Sequence, residues 1–190
     1  MGINVKKCPD CHSLNVIRII YGMPEYELFQ EAEAGKVKLG GCCIDESVPD
    51  YHCKGCGYEW NRQEAIDHAY DEITGITASI GGFFGSTYEV AVDFPSRNVT
   101  WRRQLGDSVA EEKKEITSEA MERFVEELKW LDFLNWKAKY VEPYVLDGTQ
   151  WSIEIRREGR TLRKYGSNKF PEEWGDFCSL LETLTGREFR

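Results

Sequence analysis

The segments Cys8-Pro9-Asp10-Cys11 and Cys53-Lys54-Gly55-Cys56 repeat one pattern, two cysteines with two residues between them. Each such turn directs two thiolates toward one centre, and two turns together complete the tetrahedral four-sulfur shell that suits Zn²⁺. Four protein ligands leave no coordination position for water or substrate. The spacing therefore predicts one structural Zn²⁺ bound by Cys8, Cys11, Cys53 and Cys56.

The other cysteines are read from their sequence context. The chain has seven cysteines, an odd number, and its N-terminus shows no secretory signal, so metal ligands and reduced thiols are favoured over a disulfide framework. Cys42 and Cys43 are adjacent, and successive side chains of a strand point to opposite faces. We interpret them as small buried residues of a ribbon strand; the alternative is a redox or accessory-ligand role for this pair.

Several motifs of this region occur in a fixed order. They are Cys8-Pro9-Asp10-Cys11, Tyr21-Gly22-Met23-Pro24, Glu33-Ala34-Gly35-Lys36, Leu39-Gly40-Gly41-Cys42, Cys53 to Gly57, and Trp60. Over residues 5–61 this order resembles a bacterial zinc-ribbon family for which no activity is known. The resemblance implies a ribbon fold and a bound zinc, and it implies no activity. Cys42 matches the family pattern, whereas Cys43 is an addition to it.

The first third of the chain predicts a small ribbon followed by a helix. We expect strands at residues 16–21 and 37–44, with a short helix or turn at residues 24–34 between them. Asn61 and Glu64 have the spacing of a capping box, and apolar residues at helical spacing follow them. A helix should therefore leave the ribbon and end near Gly75. The predicted organisation is a zinc ribbon at 1–61, a connecting helix at 62–75 and a second unit at 76–190.

The second unit predicts an α+β fold with the order ββαββα. Alternating segments predict two hairpins, and apolar residues at helical spacing predict a helix after each hairpin. The charged run at residues 111–115 is interpreted as a solvated loop. We expect an antiparallel sheet with both helices packed on one face.

This unit also loosely resembles bacterial domains of unknown function that share the hairpin-helix-hairpin-helix order. The matching segments are Asp147-Gly148-Thr149-Gln150-Trp151 and Tyr165-Gly166-Ser167-Asn168-Lys169-Phe170-Pro171. The resemblance covers about 110 residues and brings no catalytic residues with it.

The charge distribution bears on nucleic-acid binding. The formal net charge is -9, which disfavours broad, sequence-independent affinity for DNA or RNA. Residues 150–170 are nevertheless a local positive patch, with 6 basic and 2 acidic side chains. The candidate binding surface consists of Arg102, Arg156, Arg163 and Lys164. In the other interpretation, the arginines of this sheet face form ion pairs across strands with Glu89, Asp93 and Glu154.

The sequence gives little support to catalysis or to a membrane location. Three histidines occur, all in the ribbon or its connecting helix, and the glycine-rich residues 81–86 lack the Lys-Ser/Thr of a phosphate-binding loop. No apolar stretch approaches the length that spans a bilayer, and we expect a cytoplasmic protein without a membrane partner. We predict no catalytic residue.

The expected function is a zinc-binding, non-catalytic protein that acts as a protein-interaction or adaptor module with an unidentified protein partner. One alternative is nucleic-acid binding through the ribbon and the basic hairpin. A second alternative is a thiol redox protein that uses Cys42 and Cys43.

Overall fold

The protein has an α+β fold built from two compact units. The structure, a computed structural model, describes residues 2–42, 48–82, 85–143 and 148–190. One unit, which we call the ribbon unit, comprises Ile3–Ala69. The other, the sheet unit, comprises Gly2 and residues 70–190. The division falls inside the connecting helix predicted at 62–75.

The ribbon unit contains a small four-stranded sheet. Its elements are β1 (Val16–Ile20), α1 (Tyr26–Glu33), β2 (Val37–Leu39), β3 (Tyr51–Cys53) and β4 (Glu59–Trp60), and the strand order is β2-β1-β3-β4. The first strand and the short helix are confirmed. The strand predicted at 37–44 is shorter and ends at Leu39.

The capping box after the ribbon forms as predicted. The backbone N–H of Glu64 donates to Asn61 Oδ1 at 2.9 Å, which satisfies one of the free donors at the start of α2 (Arg62–Asp71). The prediction that this helix ends near Gly75 is wrong. Gly75 belongs instead to β5 (Ile73–Gly82), which follows the helix directly.

The sheet unit is a seven-stranded sheet with two helices. Its elements after β5 are β6 (Thr87–Asp93), β7 (Asn98–Leu105), β8 (Ser108–Glu115), α3 (Ser118–Trp130), a 3-10 turn (Phe133–Asn135), β9 (Lys139–Val141), β10 (Thr149–Arg157), β11 (Arg160–Ser167) and α4 (Trp174–Thr185). The strand order is β8-β7-β6-β5-β10-β11-β9. Both predicted hairpins and both predicted helices are present, but the order ββαββα omits β5, β8 and β9.

The hydrophobic core of the sheet unit lies between one face of the sheet and the helices. Ile76, Ile153 and Ile155 are fully buried on the sheet, and their strands alternate between buried and more exposed residues. Aromatic rings connect this face to α4: the ring centroids of Trp151 and Trp174 lie 4.5 Å apart. We call the face that carries these buried residues the inner face and the opposite one the outer face.

A lysine is buried on the inner face. Lys164 is 5% exposed, and its Nζ donates to the backbone oxygens of Leu134 at 3.1 Å and Trp136 at 2.5 Å. Burial lowers the pKa of Lys164 to about 8, since the charged form loses its hydration. The negative charge of Asp132 acts in the opposite direction and limits this decrease.

We expect the buried lysine to make stability depend on pH in the alkaline range. Between about pH 8 and about pH 10.5 the unfolded chain keeps a proton at Lys164 that the folded chain has lost, so this residue alone contributes a rise of up to about 3 kcal/mol to the free energy of unfolding. Lys164→Met removes this rise, whereas Lys169→Met, at an exposed position, keeps it. Cys178, whose pKa burial raises to about 12, contributes a fall above about pH 9 in all three proteins. Urea unfolding of the three proteins across this range measures the effect; parallel profiles for all three would contradict it.

Candidate metal centre

Two backbone turns present the four predicted cysteine ligands. In the first turn, the N–H of Cys8 donates to Ser13 O and the N–H of His12 donates to Cys8 O, each at 3.0 Å. In the second turn, the N–H of Gly57 donates to Cys53 O at 2.9 Å, and Gly57 has a φ of 82°. This left-handed conformation favours glycine over residues with a side chain.

The turns bring the four sulfur atoms together. The Sγ atoms of Cys8, Cys11, Cys53 and Cys56 all lie within 4.8 Å of one another. The distance is 3.6 Å from Cys8 to Cys56 and 3.5 Å from Cys11 to Cys53. Four sulfurs bound tetrahedrally to zinc at about 2.3 Å are about 3.8 Å apart, so the cluster has dimensions that fit such a site.

The sulfur atoms also influence one another's ionisation. The backbone N–H of Cys56 donates to the sulfur of Cys53 and lowers the pKa of Cys53 to about 6. Cys56 accepts from the N–H of Tyr58, which favours its thiolate, but burial and the three neighbouring sulfurs outweigh this contact and raise the pKa of Cys56 to about 12. A cation bound among the four sulfurs would offset their repulsion and favour all four thiolates.

The packing beside the cysteines is sparse. Among the described residues, the buried cluster around Cys8 and Cys53 adds only Trp60 and Ala65, with three half-buried side chains against it. Trp60 is fully buried, and its Nε1 donates to Val5 O at 2.9 Å. This contact ties the chain before the first turn to β4, yet the apolar area is small for a unit of this size.

Neither neighbouring histidine belongs to the four-sulfur cluster. His52 Nδ1 lies 2.9 Å from Glu59 Oε1, and Lys38 Nζ also donates to Glu59. The ring of His12 packs against His68, with 5.9 Å between centroids.

The ion pairs of Glu59 are a feature that the sequence analysis missed. Lys38 lies on β2 and Glu59 on β4, the two edges of the ribbon sheet, so their contact links strands that do not pair directly. Lys38 lowers the pKa of Glu59 by its hydrogen bond, with a further contribution from His52. Two isolated charged residues 21 positions apart give no sequence pattern that would have identified this link.

The remaining cysteines lie apart from the cluster or outside the described residues. Cys42 is an exposed free thiol. Cys43, its predicted partner in the redox alternative, lies outside the described residues. Cys178 is fully buried on α4, where it belongs to the apolar face of the helix.

The predicted basic surface is divided between the two faces of the sheet. Arg102, Arg156 and Arg163 lie on the outer face because the strand registers place them there together. The inclusion of Lys164 is wrong: this residue follows Arg163 directly, so strand alternation turns it to the inner face, where it is buried.

The outer-face arginines are accompanied by carboxylates. Arg163 Nε lies 2.9 Å from Glu154 Oε1, and Arg156 Nη2 lies 3.6 Å from Asp93 Oδ1. The register also places Arg102 between Glu89 on β6 and Glu111 on β8. Among the described residues, the arginines of this face therefore alternate with carboxylates, an arrangement that does not favour phosphate binding.

No family model matches this chain, and no curated protein matches it at a significant level. Among the described residues, no helix has both the length and the apolar character needed to cross a lipid bilayer.

Proposed function

We propose that this protein binds one Zn²⁺ through Cys8, Cys11, Cys53 and Cys56, and that it acts as a non-catalytic protein-interaction module. The observation that carries the proposal is the clustering of four Sγ atoms within 4.8 Å. A tetrahedral set of thiolates favours Zn²⁺ or iron over Mg²⁺ and Ca²⁺, which prefer oxygen ligands. We propose Zn²⁺ because closed sites of four cysteines in paired Cys-x2-Cys turns are typical of structural zinc.

The zinc has a structural role in this proposal. A four-sulfur shell leaves no open position at which water or substrate could bind. The ribbon unit also buries little beyond Trp60 and Ala65 around the cluster, so metal binding supplies free energy that its core lacks. The zinc thus fixes the fold of a unit whose surface is available to a partner.

The two alternative functions have weaker support. Nucleic-acid binding requires a positive surface, and the outer-face arginines lie beside Asp93 and Glu154 on a chain with a net charge of -9. The redox alternative rests on the sequence alone: Cys42 is an exposed thiol, and Cys43 lies outside the described residues.

The test compares partners captured in cells by three tagged forms of the full chain: wild type, Cys53→Ser and Cys42→Ser. After mild crosslinking, mass spectrometry should identify at least one protein that binds wild type and Cys42→Ser but not Cys53→Ser. The reason is that Cys53→Ser removes a zinc ligand and Cys42→Ser does not. Identical protein sets for wild type and Cys53→Ser would contradict the proposal.

A further inference from the structure

The short helix α1 of the ribbon unit and the segment directly before it present large apolar side chains to solvent. Met23 is 91% exposed, Tyr26 is 76% exposed and Phe29 is 47% exposed. None of the residues of α1 is buried. We call Met23, Tyr26 and Phe29 the α1 surface; Tyr26 and Phe29 are three positions apart on the helix and so lie on one side of it.

The helix that carries this surface has few stabilising contacts of its own. It is eight residues long, and isolated helices shorter than about 12–15 residues are marginal in water. The side chain of Glu25, at the N-cap, makes no capping hydrogen bond, and the last turn has no basic residue. Leu28 and Ala32 are only half-buried. Packing of another molecule against the α1 surface would supply contacts that the helix lacks.

The charged side chains within residues 21–35 all have one sign. Residues 21–35 include four glutamates and no lysine, arginine or histidine. All four carboxylates, those of Glu25, Glu27, Glu31 and Glu33, are exposed. At the C-terminal end of the helix, Lys54 Nζ donates to Gly35 O at 3.2 Å and offsets part of the negative potential that Glu31 and Glu33 add there.

This combination of apolar and acidic groups defines the chemistry of the occupant. We propose that the α1 surface docks a cationic amphipathic segment of a partner protein, an inference that rests on the interaction function proposed above. Apolar side chains of the segment cover Met23, Tyr26 and Phe29, while its lysines and arginines lie beside the glutamates.

Charge distinguishes this occupant from nucleic acids, from anionic lipid surfaces and from a second copy of the chain. DNA, RNA and anionic lipid surfaces carry the same sign as residues 21–35 and are repelled. A second copy of the chain would bring two such acidic segments together, against a net charge of -9 on each molecule.

The probe for the test is a fluorescent helical peptide made only of leucine and lysine. Two control peptides have the same pattern, one with glutamate in place of lysine and one with serine in place of leucine. Each is titrated by fluorescence anisotropy against the zinc-loaded full chain, its Met23→Ser/Tyr26→Ser variant and a matched Leu14→Ser variant. All of the replaced side chains are exposed, so the fold should be retained.

We expect the leucine–lysine peptide to bind wild type and Leu14→Ser equally, and to bind the double variant at least about tenfold more weakly. Hydrogen exchange should show that the bound peptide protects the amides of α1. Equal binding to wild type and the double variant would overturn the inference, as would equal affinity for the serine–lysine peptide, which indicates attraction by net charge alone.

Two further outcomes separate this inference from other accounts. A wild-type dimer that becomes monomeric in the double variant would identify a second copy as the occupant and overturn the inference. Metal content is measured on the same samples: a wild-type chain that folds its ribbon without zinc would contradict the proposed zinc function, whatever the peptide titrations show.

Discussion

Replacement of Cys53 by serine is expected to empty the metal site and unfold the ribbon unit while the sheet unit stays folded. A serine hydroxyl stays protonated at neutral pH and is a poor ligand for Zn²⁺. The change also places a polar hydroxyl at a fully buried position in the small cluster around Trp60. Structural zinc contributes about 10–16 kcal/mol of apparent binding free energy in zinc-finger peptides. The part of this free energy that is lost with one ligand should exceed the free energy of unfolding of a ribbon this size.

Elemental analysis and limited proteolysis measure this effect on proteins purified without added metal. We expect one zinc per wild-type chain, close to none in Cys53→Ser, and rapid cleavage confined to residues 3–69 in the variant. Cys42→Ser is the matched control because Cys42 is an exposed thiol outside the cluster, and it should keep its zinc. Retention of zinc and protease resistance in Cys53→Ser would show that Cys53 is not a ligand.

Glu72→Gln is expected to destabilise the sheet unit by about 3 kcal/mol or more, because it removes the charge partner of a buried arginine. Arg157 is 4% exposed at its side chain and forms an ion pair with Glu72. Its Nε is buried without a hydrogen-bond partner among the described residues. Burial already lowers the pKa of Arg157. Without the carboxylate of Glu72, no opposite charge would offset the free energy of keeping the charged guanidinium out of water.

The matched control for this change is Glu154→Gln. Glu154 pairs with Arg163 on the exposed outer face, where the loss of an ion pair costs less than about 1 kcal/mol. Urea unfolding of the zinc-loaded chains, followed by near-ultraviolet circular dichroism of the tryptophans, compares the two variants. Equal losses of stability would contradict the account.

A double replacement, Glu72→Leu with Arg157→Met, should recover much of the loss because no buried charge remains.

The elements with a clear periodic pattern were predictable from the sequence. In α3, Met121, Phe124 and Leu128 recur at helical spacing and are buried as expected. Trp151 and Ile153 alternate with polar residues in β10 in the same way. These side chains fill the core, so the pattern that selects the element also describes its packing.

The strands that the sequence analysis missed have physical reasons for their weak patterns. β8 is an edge strand whose residues are all exposed, so charged side chains occupy both of its faces and no apolar alternation appears. β5 is a central strand, but small residues such as Gly75 and Ala78 interrupt its apolar pattern. Only pairing with its neighbours identifies it as a strand.

The candidate metal site was more predictable than the surfaces around it. The two Cys-x2-Cys segments specify both the ligands and their geometry, and the four sulfurs come together as expected. The misplacement of Lys164 was avoidable, because adjacent residues of one strand cannot share a face. The exposure of Tyr26 and Phe29 could not be predicted from the sequence, since an amphipathic helix of this length more often buries its apolar side.

X-ray absorption at the zinc edge, on wild-type protein purified without added metal, tests the central claim most directly. The account expects a single zinc shell of four sulfur atoms at about 2.3 Å, with no nitrogen or oxygen ligand. A shell that mixes sulfur with histidine nitrogen or water oxygen would contradict it, because one of the four cysteines would then be free and the site would be open to ligands.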